Sequence, residues 1–483
     1  MNPKLIGKII GGALLLEAVL MLLPLGCSVV HGEDLKLFVI PMLIEGAVGG
    51  ILYFIADKDR DIVSREGFIS TGLTWITLSL TGMLPFLISG AMTNPIDAFF
   101  ETVSGFTTTG ATVLTDLESL PKGLLMWRSF LHWIGGMGIL VFMSAIMHFA
   151  RGSQINLVKA ESTGPIVSKL VPKADSTAKV LYGIYTAMSA ITLIILLILK
   201  MPLFDAICLT FSAAGTGGFG VLNDSCASYT IAQQVALNTA TMFFGVSFTL
   251  YFLILMGKFK LAVKNEELRL YLLIFALATI FITVDLMAQG DGAVNGGPLM
   301  ALHRAAFNVG TIMTTTGFAI EDCNYWPGFS QCILVILMIS GACAGSTGGG
   351  IKVSRLNIML KAFNKEMAIH LRPEQVKKIH IDGKPVEDSV IRNTGTFCFL
   401  WMFFIIMSIL VVSIDGKEWN ATITSVISAF GNVGPGFGEN GTMGNYSSFS
   451  NLSKLVLSAD MLIGRLEIYP ILALFKRNTW KCF

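Results

Sequence analysis

The chain has 483 residues, of which 53% are hydrophobic and only 14% charged. A soluble protein of that length needs more charge to cover its surface, so the composition marks a membrane protein. The formal net charge of +2 leaves no electrostatic footprint for nucleic acid.

Spans of about 20 apolar residues are the unit of a helical membrane protein, and in chain order there are ten. The first, 9–30, is too long for a signal-peptide core and lacks a convincing cleavage site, so it stays as a transmembrane helix. The second is 37–56, with no turn of special composition before it. Four pairs follow: 68–90 with 124–148, 180–199 with 231–256, 268–287 with 331–350, and 395–412 with 452–474. The fold class expected is an all-α polytopic membrane protein built on repeats of about 100 residues. Its divisions are an N-terminal helix pair (1–66) and four repeats (67–178, 179–266, 267–391 and 392–483). The eight cysteines stand singly, without C-x-x-C spacing or a histidine at ligand spacing. They read as small apolar residues or free thiols.

Between the spans of each pair lies a short apolar stretch that ends in a turn. In the first it is D-A-F-F-E-T-V-S-G-F-T-T-T-G-A over 97–111. Aligned on the last glycine, the four turns are Thr107, Thr108, Thr109, Gly110; Gly215, Thr216, Gly217, Gly218; Thr314, Thr315, Thr316, Gly317; and Gly431, Asn432, Val433, Gly434. Six residues before each glycine stands a small hydroxyl residue: Ser104, Ser212, Thr311 and Ser428. Non-helical backbone at membrane depth survives only when buried in protein or lining a water-filled path. Carbonyls facing such a path replace the hydration shell of a small cation, and the short helix before them aims its negative end at it. A narrow axis favours glycine because a Cβ would obstruct close approach; the bland alternative is that these glycines merely end the short helices.

Two further features stand within spans. G-A-C-A-G-S-T-G-G-G over 341–350 holds five glycines in ten residues, each costing a helix about 1 kcal/mol relative to alanine. The stretch reads as unwound backbone lining a cavity on the cytoplasmic side of the turns, with Lys352 close behind; small-residue helix packing is the alternative. Arg465, in the middle of the last span, is a charge at membrane depth and so a functional candidate, against a structural ion pair with Asp460 or Glu467. Arg128 reads as a helix anchor at the interface. His132 and His148 read as the two ends of one segment. Neither H-E-x-x-H, nor G-x-S-x-G, nor a pair of intramembrane carboxylates is evident, which argues against an enzyme. An alternating-access carrier for a small organic solute is the competing class, but its broken helices should fall in inverted-repeat halves.

Threading the spans alternately puts 26 of the 34 Lys and Arg residues on one side. The positive-inside rule then makes both termini cytoplasmic and brings all four turns in from outside. The longest connection on the basic side, 352–392, reads either as an ordinary positive-inside loop or as a docking surface for a cytosolic partner.

With these features in place, the chain resembles the Trk/Ktr/HKT superfamily of potassium transporters, specifically the bacterial TrkH/TrkG type. The resemblance rests on S-R-E-G-F (64–68), residues 97–112, H-W-I-G-G-M-G-I (132–139) and D-A-I-C-L-T-F-S (205–212). It extends over 341–353, N-V-G-P-G-F-G (432–438) and M-L-I-G-R-L-E (461–467). It implies a pseudo-fourfold pore with one filter segment per repeat, two extra N-terminal helices, a homodimer, and a cytosolic nucleotide-binding subunit of the TrkA type. The setting implied is the bacterial cytoplasmic membrane. Potassium at the sixteen turn residues would be the only bound species, with no organic cofactor; a less selective potassium/sodium pore is the alternative. Related plant transporters that pass sodium carry serine at the first filter glycine, so glycine at all four positions implies potassium preference. Gly345, Ser346, Thr347, Gly348, Gly349 and Gly350 resemble the family's intramembrane gating loop, Arg465 the arginine beside it, and Arg128 another family position. Three departures stand out: Arg304 opens the third turn's helix where Asp97 and Asp205 open the first two, the second turn is richer in glycine, and His132 replaces an expected glutamine.

Overall fold

The computed structural model describes residues 3–55, 64–138, 174–289, 297–372, 374 and 378–476. The second half of the expected span 124–148, His148, Cys482 and nine of the basic-side residues (58, 60, 151, 159, 169, 173, 377, 477 and 481) lie outside the described residues.

Six helical segments among the described residues are long and apolar enough to cross a membrane: Pro3–His31, Lys36–Phe54, Arg65–Ile88, Ala178–Ile198, Glu266–Ala288 and Asp388–Asp415. They are the two N-terminal spans and the first span of each pair. Their outward faces are apolar, as with Leu273, Leu277, Ile280 and Val284 on Glu266–Ala288. That spacing of three and four residues is one helix face turned to lipid.

Among the described residues, the second span of every pair departs from one continuous helix. Lys122–Gly136 stops before Gly138, which has φ +83°. Ile231–Phe244 and Phe248–Leu255 meet at 86°. Gly328–Ser340 gives way to non-helical backbone over 341–352 before Val353–Leu371 begins. Asn451–Arg465 breaks before Tyr469–Phe475, with Glu467 and Ile468 both at positive φ. The sequence announces only the third break. The other three need a few residues of irregular backbone flanked by Leu, Ile and Phe, so hydropathy runs on across them.

The short helices between the spans form as expected: Pro95–Phe106, Leu203–Gly215, Gly297–Met313 and Trp419–Gly431. Asn94 caps the first by accepting from the Ile96 amide (3.1 Å), and Pro95 stands at its first position, where its missing N–H costs nothing. In the basic connection, Asp382 and Gly383 turn a small hairpin between His380–Ile381 and Lys384–Pro385, both with positive φ. The Asp382 carboxylate accepts from Asn265 and from the Glu266 amide.

The N-terminal helices Pro3–Leu20 and Lys36–Phe54 cross with their backbones in contact. A Cβ on Gly11 would lie 2.7 Å from the Gly49 carbonyl oxygen, and one on Gly49 2.9 Å from that of Gly11. This antiparallel crossing brings Glu17 and Glu45 to one level, both fully buried. A pair of carboxylates at membrane depth, not evident in the sequence, is therefore present: each stands alone on its own helix, and only the crossing unites them.

Candidate functional site

The four turns share one local structure. Each short helix ends in a residue with left-handed backbone: Thr108 (φ +54°), Thr216 (+52°), Thr315 (+59°) and Asn432 (+54°). The next amide reaches back five residues to the carbonyl of the hydroxyl residue: Thr109 to Ser104 (2.9 Å), Gly217 to Ser212 (2.9 Å), Thr316 to Thr311 (2.7 Å) and Val433 to Ser428 (2.9 Å). These are helix C-caps of the Schellman kind, but the left-handed position is held by threonine or asparagine. Each aligned glycine then supplies a second positive φ: +82° at Gly110, +78° at Gly218, +83° at Gly317 and +101° at Gly434. Two positive-φ residues flank one of ordinary hand, which turns successive peptide carbonyls toward the same side.

The glycines close a ring. A Cβ on Gly110 would collide with the Gly217 carbonyl oxygen, one on Gly218 with that of Thr316, and one on Gly317 with that of Val433. One on Gly434 would lie 2.5 Å from the carbonyl oxygen of Thr109, which returns to the first repeat. Four carbonyl oxygens from four repeats thus crowd around one centre, each in the space a side chain would need. The glycines do not end the helices; the residues two before them do.

Behind the ring, Thr107 and Thr109 share a hydroxyl–hydroxyl bond (2.7 Å), as do Thr314 and Thr316 (2.7 Å). The extra glycines of the second turn have a cause. His132 is buried, not at the end of its segment, and stacks on Phe219 with ring centres 4.2 Å apart. A Cβ on Gly217 would enter its ring, and one on Gly215 would meet its backbone carbonyl. The histidine and the glycines are two halves of one fit.

On the glycine side, a cavity of about 110 Å³ touches Gly110, Gly218, Gly317 and Gly434. Arg128 at its wall is buried rather than interfacial and pairs with buried Glu101 (2.9 Å). Glu101 also accepts from Thr112 and from the Val113 amide (3.0 Å), while the guanidinium lies 4.1 Å from the Phe219 ring centre. One ion pair therefore joins the backbone leaving the first two turns. At the rim, Arg304 meets Glu321 (3.5 Å) and Lys454 meets Asp97 (2.7 Å).

On the opposite side the four breaks converge on the 341–352 loop. Its neck is closed by Ile351 and Lys352 amides donating to Ile339 and Ser340 carbonyls, and Gly341 packs against Gly349 and Gly350. The Gly349 amide donates to Thr315 Oγ1 (2.7 Å), Thr216 Oγ1 donates to Thr347 Oγ1 (3.1 Å), and the Phe248 amide donates to the Gly345 carbonyl (2.9 Å). A Cβ on Gly348 would lie 2.9 Å from the Thr314 carbonyl oxygen. Lys352 turns back, with φ +80°, and its Nζ donates to the Gly348 carbonyl. Glu267, unremarked in the sequence, accepts from the Ala344 and Ser354 amides (2.6 and 3.1 Å).

Arg465 donates to the carbonyls of Thr347 (2.6 Å), Gly135 (2.7 Å) and Gly136 (2.6 Å). Its two expected ion-pair partners are engaged elsewhere: Glu467 with Arg355 (2.5 Å) and Asp460 with Ser408 (2.7 Å). Carbonyls freed at breaks in the first and third repeats are thus satisfied by a guanidinium from the fourth, the planar fork lysine lacks.

The ring predicts unequal costs for the same substitution. Gly218→Ala meets backbone and a positive φ, and should cost upwards of about 2 kcal/mol. Gly183→Ala, where nothing lies within 4 Å, should be neutral or stabilising by up to about 1 kcal/mol. Thermal melting in detergent compares them; equal melting temperatures would contradict the ring packing.

Comparison with known proteins agrees with this architecture. The TrkH family model, described as a cation transport protein, matches residues 35–481. The chain is 32% identical to the Trk system potassium uptake protein TrkH of Salmonella typhimurium and 31% identical to that of Escherichia coli K12, each alignment covering 100% of both chains. The crystal structure of the potassium transporter TrkH from Vibrio parahaemolyticus superposes with a TM-score of 0.89 at 28% identity, covering 100% of both chains. The relatives are transport proteins, not enzymes. With a family match over nearly its whole length and repeats that share one fold, this multi-pass membrane protein belongs to the TrkH family of cation transport proteins.

Proposed function

We propose that the chain is the ion-translocating subunit of a Trk-type potassium uptake system, and that the carbonyl ring is its selectivity filter. The observation that carries the reading is the cyclic packing of glycine against carbonyl through all four repeats. Dehydrating a potassium ion requires several carbonyl dipoles already held at the axis. Here the αL caps, the paired threonines and the Glu101–Arg128 pair fix that backbone from behind. Potassium is cargo, held by the sixteen turn residues.

The 341–352 loop is the gate in this reading, with Gly345–Gly350, Lys352 and Arg465 as its working parts. A cation about 8 Å from the guanidinium, at an effective dielectric of about 20, is repelled by roughly 2 kcal/mol. The hydrogen bond from Arg465 to the Thr347 carbonyl pins the same loop across the path. The protein sits in the bacterial cytoplasmic membrane with both termini inside, acts as a homodimer, and takes its opening signal from a TrkA-type nucleotide-binding subunit at the basic face. The five divisions of the chain correspond to the N-terminal pair and four pore repeats.

Proteoliposomes holding the chain alone test the filter: rubidium and potassium should accumulate while a panel of organic solutes does not. Uptake of an organic solute without rubidium would favour a carrier. For the gate, Arg465→Ala should raise partner-independent rubidium flux on the order of tenfold, the effect of about 1.4 kcal/mol off the barrier. Arg465→Lys should fall between, because charge remains and the fork is lost. Wild-type flux in both variants would make Arg465 a structural tie only.

A further inference from the structure

The Glu17–Glu45 pair has no part in the filter or the gate. Both side chains are fully buried, and three of their four carboxylate oxygens have no hydrogen-bond partner: Glu17 Oε1 and both oxygens of Glu45. The fourth, Glu17 Oε2, accepts from Thr81 Oγ1 (2.9 Å). The two residues stand level on the crossed helices Pro3–Leu20 and Lys36–Phe54. Lys8 and Lys36, on the same two helices, are each nine residues away along the chain, about 13 Å at 1.5 Å per residue. His31, Glu33 and Glu66 stand near helix ends. On the pore helix, Asp97 is taken by Lys454 and Glu101 by Arg128. The short helix Leu84–Ile88 brings no titratable group, and Lys122–Gly136 approaches through Trp127, whose Nε1 donates to the Gly82 carbonyl (3.0 Å).

Two bare negative charges, level on crossed helices and out of water, would each carry an uncompensated desolvation cost of several kcal/mol. One proton between them removes one charge and supplies the missing donor. A second, independent observation points the same way. Ser70 and Thr74 are buried with unpartnered hydroxyls and share the Thr81 face of helix Ser64–Gly82, at spacings of four and seven residues. They lie on one buried face of that helix, between the level of the pair and Glu66.

The pair also touches the pore. A Cβ on Gly82 would meet Glu17 Oε1 (2.8 Å) on one side and Phe106 (3.1 Å) and Thr102 (3.1 Å) on the other. Only a glycine separates the carboxylate from the last turns of the helix that carries Thr107.

We propose that Glu17 and Glu45 form a proton-binding site, one proton shared between the two carboxylates, acting on the first pore helix through Gly82. The transport arm of the test rests on the filter reading above; the spectroscopic arm does not.

Infrared difference spectra of reconstituted protein should show a protonated-carboxyl band in wild type near neutral pH. Glu45→Gln should remove it, because its amide gives Glu17 the donor that the shared proton gave and keeps the net charge of the pair. Glu17→Gln/Glu45→Gln should lack the band as well. A wild-type spectrum without the band, a band that survives in both variants, or a band displaced by sodium chloride at fixed pH would overturn the proton site. In rubidium uptake, wild type should change on the order of threefold across the pH range in which the carboxyl band is lost, and Glu45→Gln should flatten the profile. Parallel profiles would overturn the action on the pore helix.

Discussion

A carbonyl oxygen and a Cβ cannot occupy the same place, and four such exclusions hold the centre of this protein together. Each of Gly110, Gly218, Gly317 and Gly434 yields its side-chain space to a carbonyl of the next repeat. The ring closes only because all four yield. The neighbouring left-handed threonines and asparagine carry strain that an isolated turn would relax. Here they persist because the amides beyond them are bonded back into the short helices, and because the ring leaves no room for another path. Much of the remaining structure serves to hold that backbone still: Glu101 with Arg128 on one side, the 341–352 loop on the other.

The second organising fact is that helical backbone stops within the described part of the second span of each pair. Breaking a helix at membrane depth frees carbonyls that water cannot reach, and each must find a donor. The breaks solve this collectively. The third repeat sends a loop across the centre, the fourth sends Arg465 to the carbonyls of the first and third, and the second donates the Phe248 amide to Gly345. Arg355 and Glu467 tie the helix leaving the loop to the fourth break, where Ile468 holds a β-branched side chain at φ +71°. Moving the loop therefore disturbs every repeat at once.

The sequence makes plain whatever repeats or punctuates. The four turns, their hydroxyl residues, the glycine-rich loop and the lone arginine all stand against an apolar background, and the family resemblance is matched by the comparisons. What it hides depends on contacts between distant residues. Three helix breaks vanish because Leu, Ile and Phe carry hydropathy across them. Glu17 and Glu45 read as isolated polar residues until the Gly11–Gly49 crossing brings them level. Glu101 offered a signal, a charge inside an apolar stretch, but its partner lies 27 residues on. The histidine at 132 and the glycines at 215 and 217 look like separate departures from a pattern; in space each explains the other.

Selection and passage of potassium by the ring can be read from the reversal potential of wild-type protein in planar bilayers, with potassium and sodium gradients varied separately. The reversal potential should follow the potassium gradient and stay unmoved when sodium alone is changed. A reversal potential that follows both gradients equally would contradict it.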